Sequence, residues 1–344
     1  MKCKMAGIRP VMITGDHKLT AVAIAKELDI YGEDDTVLTG EELDSMDEES
    51  LEKAAATTTV YARVSPKHKL AIVRALKRLG SIVAMTGDGV NDAPAVKEAD
   101  IGVAMGRTGT DVTKEASSMV LMDDNFATIV AAIEEGRVIY SNIRKFIRYM
   151  LSCNLGEVLT MFLGMLAGLP VPLLPIQILW VNLVTDGLPA VALGFDPPEK
   201  DIMKQKPRDP EESIFSHGLA GLIITRGILI GLATLAVYAS LLWFTADIGL
   251  ARTGGFVTLV LSQLIHVFEC KSETRNIFRI PLFNNIFLVL AVICSLVMML
   301  GVIYIPVLQN IFKTVPLGLN EWMIAGGLSF LAPVLTSIFM PRRR

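Results

Sequence analysis

Two tripeptides near the start of this chain carry the same chemical groups. Thr14-Gly15-Asp16 ends the apolar run PVMIT, and Thr86-Gly87-Asp88 follows the run SIVAM and continues into GVND, with Asn91 and Asp92. From Met85 to Gly106 the stretch MTGDGVNDAPAVKEADIGVAMG sets Asp88, Asp92 and Asp100 among glycines. Taken singly, each Asp reads as a turn or N-cap residue, and Lys69 as a solvated surface charge. Together, at the ends of two strand-like runs, they form a set. Mg2+ takes one or two carboxylates and completes its shell with phosphate oxygens and water. Thr14 and Gly15 offer a hydroxyl and a backbone N–H to a phosphoryl group, and Lys69, near a helix start, offers it a positive charge.

A second set lies in the apolar half. SCNLGEVLT holds Asn154 and Glu157, three apart and therefore on one helix face. WVNLVTDGLPAVALGF holds Asn182, Thr185 and Asp186 with the same helical spacing. Glu157 and Asp186 are the only charges in their segments, and an acid inside a membrane usually marks function. Gly187 and Pro189 predict a loosened helix just after Asp186, with freed carbonyls. Carboxylate, amide, hydroxyl and carbonyl oxygens are the ligands of a hard cation. The competing reading is a polar network that only joins helices.

The elements that must position these groups follow from pattern. PVMIT, TVYARV, SIVAM, IGVAM and SSMVLM read as strands, and LTAVAIAKEL, SPKHKLAIVRALKRLG and APAVKEA as helices. Ser65 and Pro66 stand at the N-cap and first helical positions. Such alternation predicts an α/β domain with a parallel sheet and its active groups beyond the strands' carboxyl ends. The acidic run EDDTVLTGEELDSMDEESLE, Glu33–Glu52, has no basic residue and predicts a solvated excursion with a short helix. From Asn125 a helical pattern, with Asp123 or Asp124 as its cap, continues into the apolar half. The reading is either one continuous helix or two with a break near Gly136.

Six segments approach or exceed the roughly 20 residues that cross a bilayer: Tyr149–Leu169, Leu173–Phe195, Gly218–Phe244, Thr253–Cys270, Ile286–Ile305 and Trp322–Met340. The fourth is the weakest, being short and carrying Gln263 and His266. Lys and Arg collect on one side of these spans, at Arg144, Lys145 and Arg148, at Lys200–Arg208, at Lys271–Arg279 and in the terminal PRRR. That side is cytosolic by the charge rule, which puts both termini in the cytosol. The expected organisation is an α/β domain over 1–125, a stalk helix over 126–148 and an all-α, six-helix transmembrane domain over 149–344. A net charge of -3 gives no bulk case for a nucleic-acid partner. Four scattered cysteines without a CxxC pair predict neither a disulfide framework nor a zinc site. No Walker-type phosphate loop and no signal-peptide core occur.

MITGD, ARVSPKHK, MTGDGVNDAPA and LWVNLVTDGLPAVALGFDPPE resemble the motifs of the P-type cation-transporting ATPases, nearest to the sarco/endoplasmic reticulum type of calcium pump and its bacterial relatives. The resemblance covers essentially the whole chain. It implies a haloacid-dehalogenase-like, Rossmann-type phosphorylation domain. There Asp88 holds Mg2+, Asn91 and Asp92 order the site, and Thr14, Gly15, Asp16 and Lys69 hold the phosphoryl group delivered by ATP. It also implies that the six spans are the last six of ten, with Asn154, Glu157, Asn182, Thr185 and Asp186 as ligands of transported Ca2+, or alternatively Mn2+. A bacterial plasma membrane is the expected location.

Two departures shape the expectation. The family's phosphorylated aspartate lies in DKTGT, which does not occur in these 344 residues, nor do the nucleotide-binding domain, the TGE-bearing actuator domain or four further spans. The chain alone is therefore expected to be inactive. An N-terminal portion, in the same or a separate polypeptide, would complete the pump; the alternative is a non-enzymatic membrane scaffold. Second, Gln263 stands where two-site calcium pumps carry an acid, which argues against two ions per cycle, whereas Asn154 and Glu157 argue for them.

Overall fold

The computed structural model describes residues 2–32, 34–199, 201–273, 275 and 277–339. The chain divides into two compact units, Met1–Gly136 with Asp201–Arg208, and Arg137–Lys200 with Asp209–Arg344.

The first unit alternates strand and helix as its sequence predicts. After a short α1 (Lys2–Met5) come β1 (Met12–Ile13), α2 (Lys18–Glu27), β2 (Thr36–Thr39), α3 (Gly40–Asp44), α4 (Glu48–Ala55), β3 (Thr58–Ala62) and α5 (Pro66–Arg78). Then follow β4 (Ala84–Gly87), α6 (Ala93–Glu98), β5 (Ile101–Met105), α7 (Asp111–Ala116) and β6 (Met119–Leu121). All pairings are parallel, but the strands form two sheets of order β1-β3-β2 and β4-β5-β6. The two TGD-bearing strands, β1 and β4, are each an edge of their own sheet. Tyr61, Ile72, Val73, Met85, Ala95 and Val96 form the apolar core beside them.

The acidic run is more ordered than its composition suggests. TVLT within it has strand propensity and pairs in parallel with β3, from Thr36 opposite Thr58 to Thr39 opposite Ala62. The flanking acids act as caps. Glu42 accepts the Thr39 N–H at 2.6 Å, Asp47 accepts the Ser50 N–H at 2.9 Å, and Asp44 takes Lys67 at 2.6 Å. Those hydrogen bonds offset the repulsion that a run of like charge implies, and Lys67 holds the Asp44 carboxyl below its usual range. Glu33 lies outside the described residues. At α5, Pro66 takes the first helical position, and the His68 ring, rather than the Ser65 hydroxyl, completes the cap by accepting the Ser65 N–H at 3.1 Å.

In the second unit α8 (Phe126–Leu166), which starts in the first, runs 41 residues without a break at Gly136. Its start is capped by Asn125, whose side chain accepts the Ala127 N–H at 2.9 Å, and by Asp123, which takes the Thr128 hydroxyl at 2.6 Å. Asp124 is turned away, at φ 53°, and binds the Arg107 and Thr108 N–H groups instead. A turn through Gly168 and the PVP segment leads to α9 (Pro175–Trp180), a π-helical turn (Val181–Asp186) and α10 (Gly187–Leu193). The helices α11 (Leu219–Thr245), α12 (Ile248–Cys270), α13 (Ile286–Tyr304), α14 (Pro306–Phe312) and α15 (Leu319–Phe339) complete the unit.

Among the described residues five helices are long and apolar enough to cross a membrane: α8, the composite Pro175–Leu193, α11, α12 and α13. The sixth expected span forms α15, and its final residue, Met340, lies outside the described residues. The span that looked weakest in sequence is the central one. Asp247 caps α12 through the Gly249 and Leu250 N–H groups, which adds a first turn and brings the helix to 23 residues. Its apolar window is 67% buried, against 33–44% for the others. Helices α8 and α11 approach closely through glycines. A Cβ at Gly227 would fall 2.6 Å from the Leu155 side chain, and one at Gly156 would fall 2.7 Å from Ile230. Gly227 and Gly231 form a GxxxG pair, the small-residue stripe that lets membrane helices pack backbone to backbone.

Candidate phosphoryl and cation sites

The first set of candidate residues stands at the carboxyl ends of two strands of separate sheets, β1 and β4. Beyond β1 the Thr14 hydroxyl donates to Asp16 Oδ2 at 2.9 Å and accepts the Asp16 N–H at 3.1 Å, fixing the turn. Gly15 and Asp16 are exposed. Beyond β4, Asp88 and Asn91 are exposed, and the Asp88 carbonyl accepts the Thr110 N–H at 2.9 Å. Gly87 is required here, since a Cβ would sit 2.5 Å from that of Asp92. Asp92 is buried and ion-paired with Lys69 of α5 at 2.6 Å. That pair holds the Lys69 ammonium near the end of β4. The donor set fits Mg2+: hard carboxylate oxygen at Asp88, facing water that can complete an octahedral shell.

Asp100 belongs elsewhere. Its carboxylate accepts the Val83 N–H at 2.8 Å and pairs with Lys77 at 3.2 Å, at the opposite end of β4. Partial burial opposes ionisation, but these two partners outweigh it and leave the carboxyl below its usual range. Asp124 is held further down, to about 2, foremost by the Arg107 N–H.

The second site is buried. Glu157 of α8 and Asp186 of the π-helical turn are 5% and 0% exposed. Each oxygen of the two carboxylates faces a donor. Asn182 Nδ2 donates to Glu157 Oε2 at 3.1 Å, and Gln263 Nε2 donates to Glu157 Oε1 at 2.9 Å and to Asp186 Oδ2 at 3.3 Å. The Tyr149 hydroxyl donates to Asp186 Oδ1 at 3.1 Å. Among the described residues no third acid joins the pair.

Local sequence explains how Asp186 comes to face α8. Pro189 has no N–H for the carbonyl four residues earlier, that of Thr185. That carbonyl instead accepts from the Tyr149 hydroxyl at 3.3 Å. The helix widens into π geometry over Val181–Asp186, so the loosening lies at the ligand-type residues themselves and not after them. The Thr185 hydroxyl is turned back to the Val181 carbonyl at 3.0 Å. Asn154, expected beside Glu157, is exposed, and no hydrogen bond to the acids among the described residues comes from it.

Sequence reasoning missed Tyr149, and it missed the buried polar layer at the Lys/Arg-rich ends of the spans. Lys145 pairs with Asp196 at 2.7 Å, both almost fully buried, and Asn285 and Lys271 reach the other Asp196 oxygen at 3.2 and 3.5 Å. Arg148 donates to the Glu269 and Ser272 carbonyls at 3.2 and 2.8 Å, and Arg144 grips Glu273 at 2.9 Å. Arg226, His266 and Glu269 form a further buried contact group. Arg144, Lys145 and Arg148 served in sequence only as orientation markers. The signal available was their spacing, which puts 144 and 148, and 145 and 149, on shared helix faces.

Comparison with known proteins agrees with both halves. Residues 170–340 match the family described as cation transporting ATPase, C-terminus, and residues 2–100 match haloacid dehalogenase-like hydrolase. A calcium-transporting ATPase of Bacillus subtilis is 55% identical over 97% of this chain, and calcium-transporting ATPase 1 of Bacillus cereus is 49% identical over 98%. An endoplasmic reticulum calcium ATPase of Aspergillus fumigatus is 42% identical over 97% of the chain. The chain spans only 38–40% of the length of these relatives. Parallel α/β strands ending in paired TGD motifs, apolar helices with a buried acid pair and both family matches identify the chain as a multi-pass membrane protein of the P-type cation-transporting ATPase family, corresponding to its C-terminal portion.

Proposed function

We propose that this chain supplies the cation-binding helices and part of the phosphorylation site of an ATP-driven Ca2+ pump. The observation that carries the reading is the buried pair Glu157–Asp186, held on three helices by amide and hydroxyl groups. Two acids in apolar helices, with an amide and a widened helix beside them, are the donor set of a hard divalent cation. The relatives named above as calcium ATPases favour Ca2+ over Mn2+, which accepts similar oxygens. In this reading Asp88 holds Mg2+, and Thr14, Gly15, Asp16 and Lys69 bind the phosphoryl group. Asn91 and Asp92 order the loop between them. When bound, Mg2+ neutralises charge on the phosphoryl oxygens. The uninterrupted α8, which carries Glu157, is the element proposed to transmit phosphorylation to the cation pair. The Lys/Arg-rich loops face the cytosol of a bacterial cell.

The phosphorylated aspartate is proposed to come from sequence outside these 344 residues, and β1 and β4, each a sheet edge, are where a further parallel strand can pair. The test is a chimera that joins the N-terminal portion of the Bacillus subtilis relative to this chain, reconstituted in vesicles. Ca2+-dependent ATP hydrolysis and Ca2+ uptake, both lost with Asp186→Asn, are expected. Uptake that persists in the Asp186→Asn chimera reduces the pair to structural glue.

A further inference from the structure

The acidic run contributes more than a strand. Its helix α3 ends at Asp44, whose Oδ1 meets His68 Nε2 at 3.0 Å, while the other ring nitrogen, Nδ1, accepts the Ser65 N–H at 3.1 Å. The partners fix the roles. A backbone N–H only donates and a carboxylate only accepts, so the ring is neutral and carries its proton on Nε2. His68 is buried. Among the described residues, the charged groups paired at this ring are Asp44 and, on the same Asp44 oxygen, Lys67 at 2.6 Å. Glu42 of α3 is turned to Thr39, and Lys69 of α5 to Asp92.

The two ring bonds hold a corner between β3 and α5 that serves the phosphoryl-site residues twice. The Arg63 N–H donates to the Asp16 carbonyl at 3.0 Å and the Val64 N–H to the Thr14 carbonyl at 3.2 Å, so the residues just before Ser65 fix the Thr14-Gly15-Asp16 turn. Lys69, just after His68, reaches Asp92 at 2.6 Å. Arg63 stands at φ 51°, a conformation that side chains disfavour, so contacts and not local preference keep the corner. Gly40 of α3 closes on it from outside. A Cβ there would collide with the Arg63 carbonyl and fall 3.3 Å from the His68 ring.

Protonation of the ring puts a hydrogen on Nδ1, facing the Ser65 N–H. An imidazolium gains attraction to Asp44, but Nδ1 can no longer accept, so the cap at Ser65 is lost either way. Histidine is the side chain that changes charge between about pH 5 and 8. We propose that His68, oriented by Asp44, is a positioning residue of the phosphoryl site. Its neutral ring holds the corner that sets both the first TGD turn and Lys69, and its protonation loosens them together. This role rests on the reading of Thr14, Gly15, Asp16 and Lys69 as the phosphoryl-binding residues.

The experiment uses the chimeric pump described above and, beside it, the full 344-residue chain in lipid nanodiscs. Phosphorylation of the chimera by labelled inorganic phosphate with Mg2+ is measured from about pH 8 to about pH 5.5 for the unsubstituted form, His68→Gln, His68→Leu and Lys69→Met. Glutamine at this third helical position makes the same cap and does not titrate. His68→Leu is expected to bind phosphate about fivefold more weakly at the upper pH, the weight of a lost helix cap. His68→Gln should match the unsubstituted chimera there and exceed it about fivefold at the lower pH, where the ring is charged. Hydrogen exchange over 63–69, corrected for intrinsic rates, should lose protection in the 344-residue chain as pH falls and keep it in His68→Gln. A His68→Gln to unsubstituted ratio that does not change with pH, an unimpaired His68→Leu, or exchange that ignores pH overturns the positioning role while leaving the phosphoryl site. A chimera that takes no phosphate, or one that Lys69→Met does not impair, overturns the phosphoryl-site reading and the role with it. Exchange in the unsubstituted chain does not depend on any variant folding.

Discussion

The two candidate sites treat charge in opposite ways. Asp16, Asp88 and Asn91 are exposed at the ends of β1 and β4, and only Asp92 there is buried and paired, with Lys69. Glu157 and Asp186 are enclosed, and all four of their oxygens meet donors from the chain itself. An exposed carboxylate keeps its hydration and needs no fixed partner, so the phosphoryl site can be assembled from strand ends and turns. A carboxylate among apolar helices loses its hydration, and every lone pair must be met by protein. The same residue type thus needs almost no support in one unit and a three-helix scaffold in the other.

The sharpest way to break this comparison is to remove one carboxylate from each site in the chimeric pump. Asp186→Asn is expected to lower Ca2+-dependent phosphorylation from ATP by more than 100-fold, or roughly 2.7 kcal/mol, while phosphorylation by inorganic phosphate survives. Asp88→Asn should impair phosphorylation from both directions and leave Ca2+ binding intact. Acid quench with labelled ATP or phosphate separates the two, and identical profiles would erase the distinction between the sites.

The buried polar layer tests the cost of unmet charge directly. Lys145→Met leaves Asp196 enclosed with Lys271 as its remaining cation, 3.5 Å away. Loss of a buried partner costs about 3–5 kcal/mol. Thermal unfolding in detergent should show a large drop, and adding Asp196→Leu should recover much of it. A double variant no more stable than Lys145→Met would mean that the pair is not coupled.

A packing change carries a smaller effect. Gly227→Ala puts a methyl 2.6 Å from Leu155, and overpacking of this kind costs about 1–3 kcal/mol. Gly221→Ala, on the same helix with nothing within 4 Å, should be neutral by the same melting assay. Equal stability of the two would remove the close α8–α11 approach.

The smallest effect belongs to the water-facing unit. Asp124, held to about 2, has a folded-state value below the roughly 3.9 of an unfolded chain. Its contribution is complete above the unfolded value and is lost as pH falls through about 2. Hydrogen exchange over 105–125, corrected for intrinsic rates, should lose protection across that window. Asp124→Asn should already lack that protection at neutral pH. Exchange in the unsubstituted chain that ignores pH between 4 and 2 would show that the carboxylate is not what holds the Arg107–Thr108 turn.

By itself the sequence determined the order of strands and helices, the apolar spans and the residue types at both sites. These are local properties: hydrophobic period, proline and glycine placement, and the cost of an acid in an apolar segment. It could not show that TVLT in the acidic run is a strand, because its partner β3 begins nineteen residues beyond the end of β2 and supplies the pairing. It also left α12 the least certain span, since the Asp247 cap and the burial that stabilise it come from three-dimensional neighbours. Only the tertiary structure decided that Arg144, Lys145 and Arg148 are buried ties, that Asp100 serves Val83 and Lys77, and that Asn154 is exposed while Glu157 one turn on is enclosed. It alone brought Tyr149 and Gln263 onto the carboxylates of Asp186 and Glu157. Spacing within one helix fixes which residues share a face, but which face meets which neighbour depends on how whole helices pack, and no single segment encodes that.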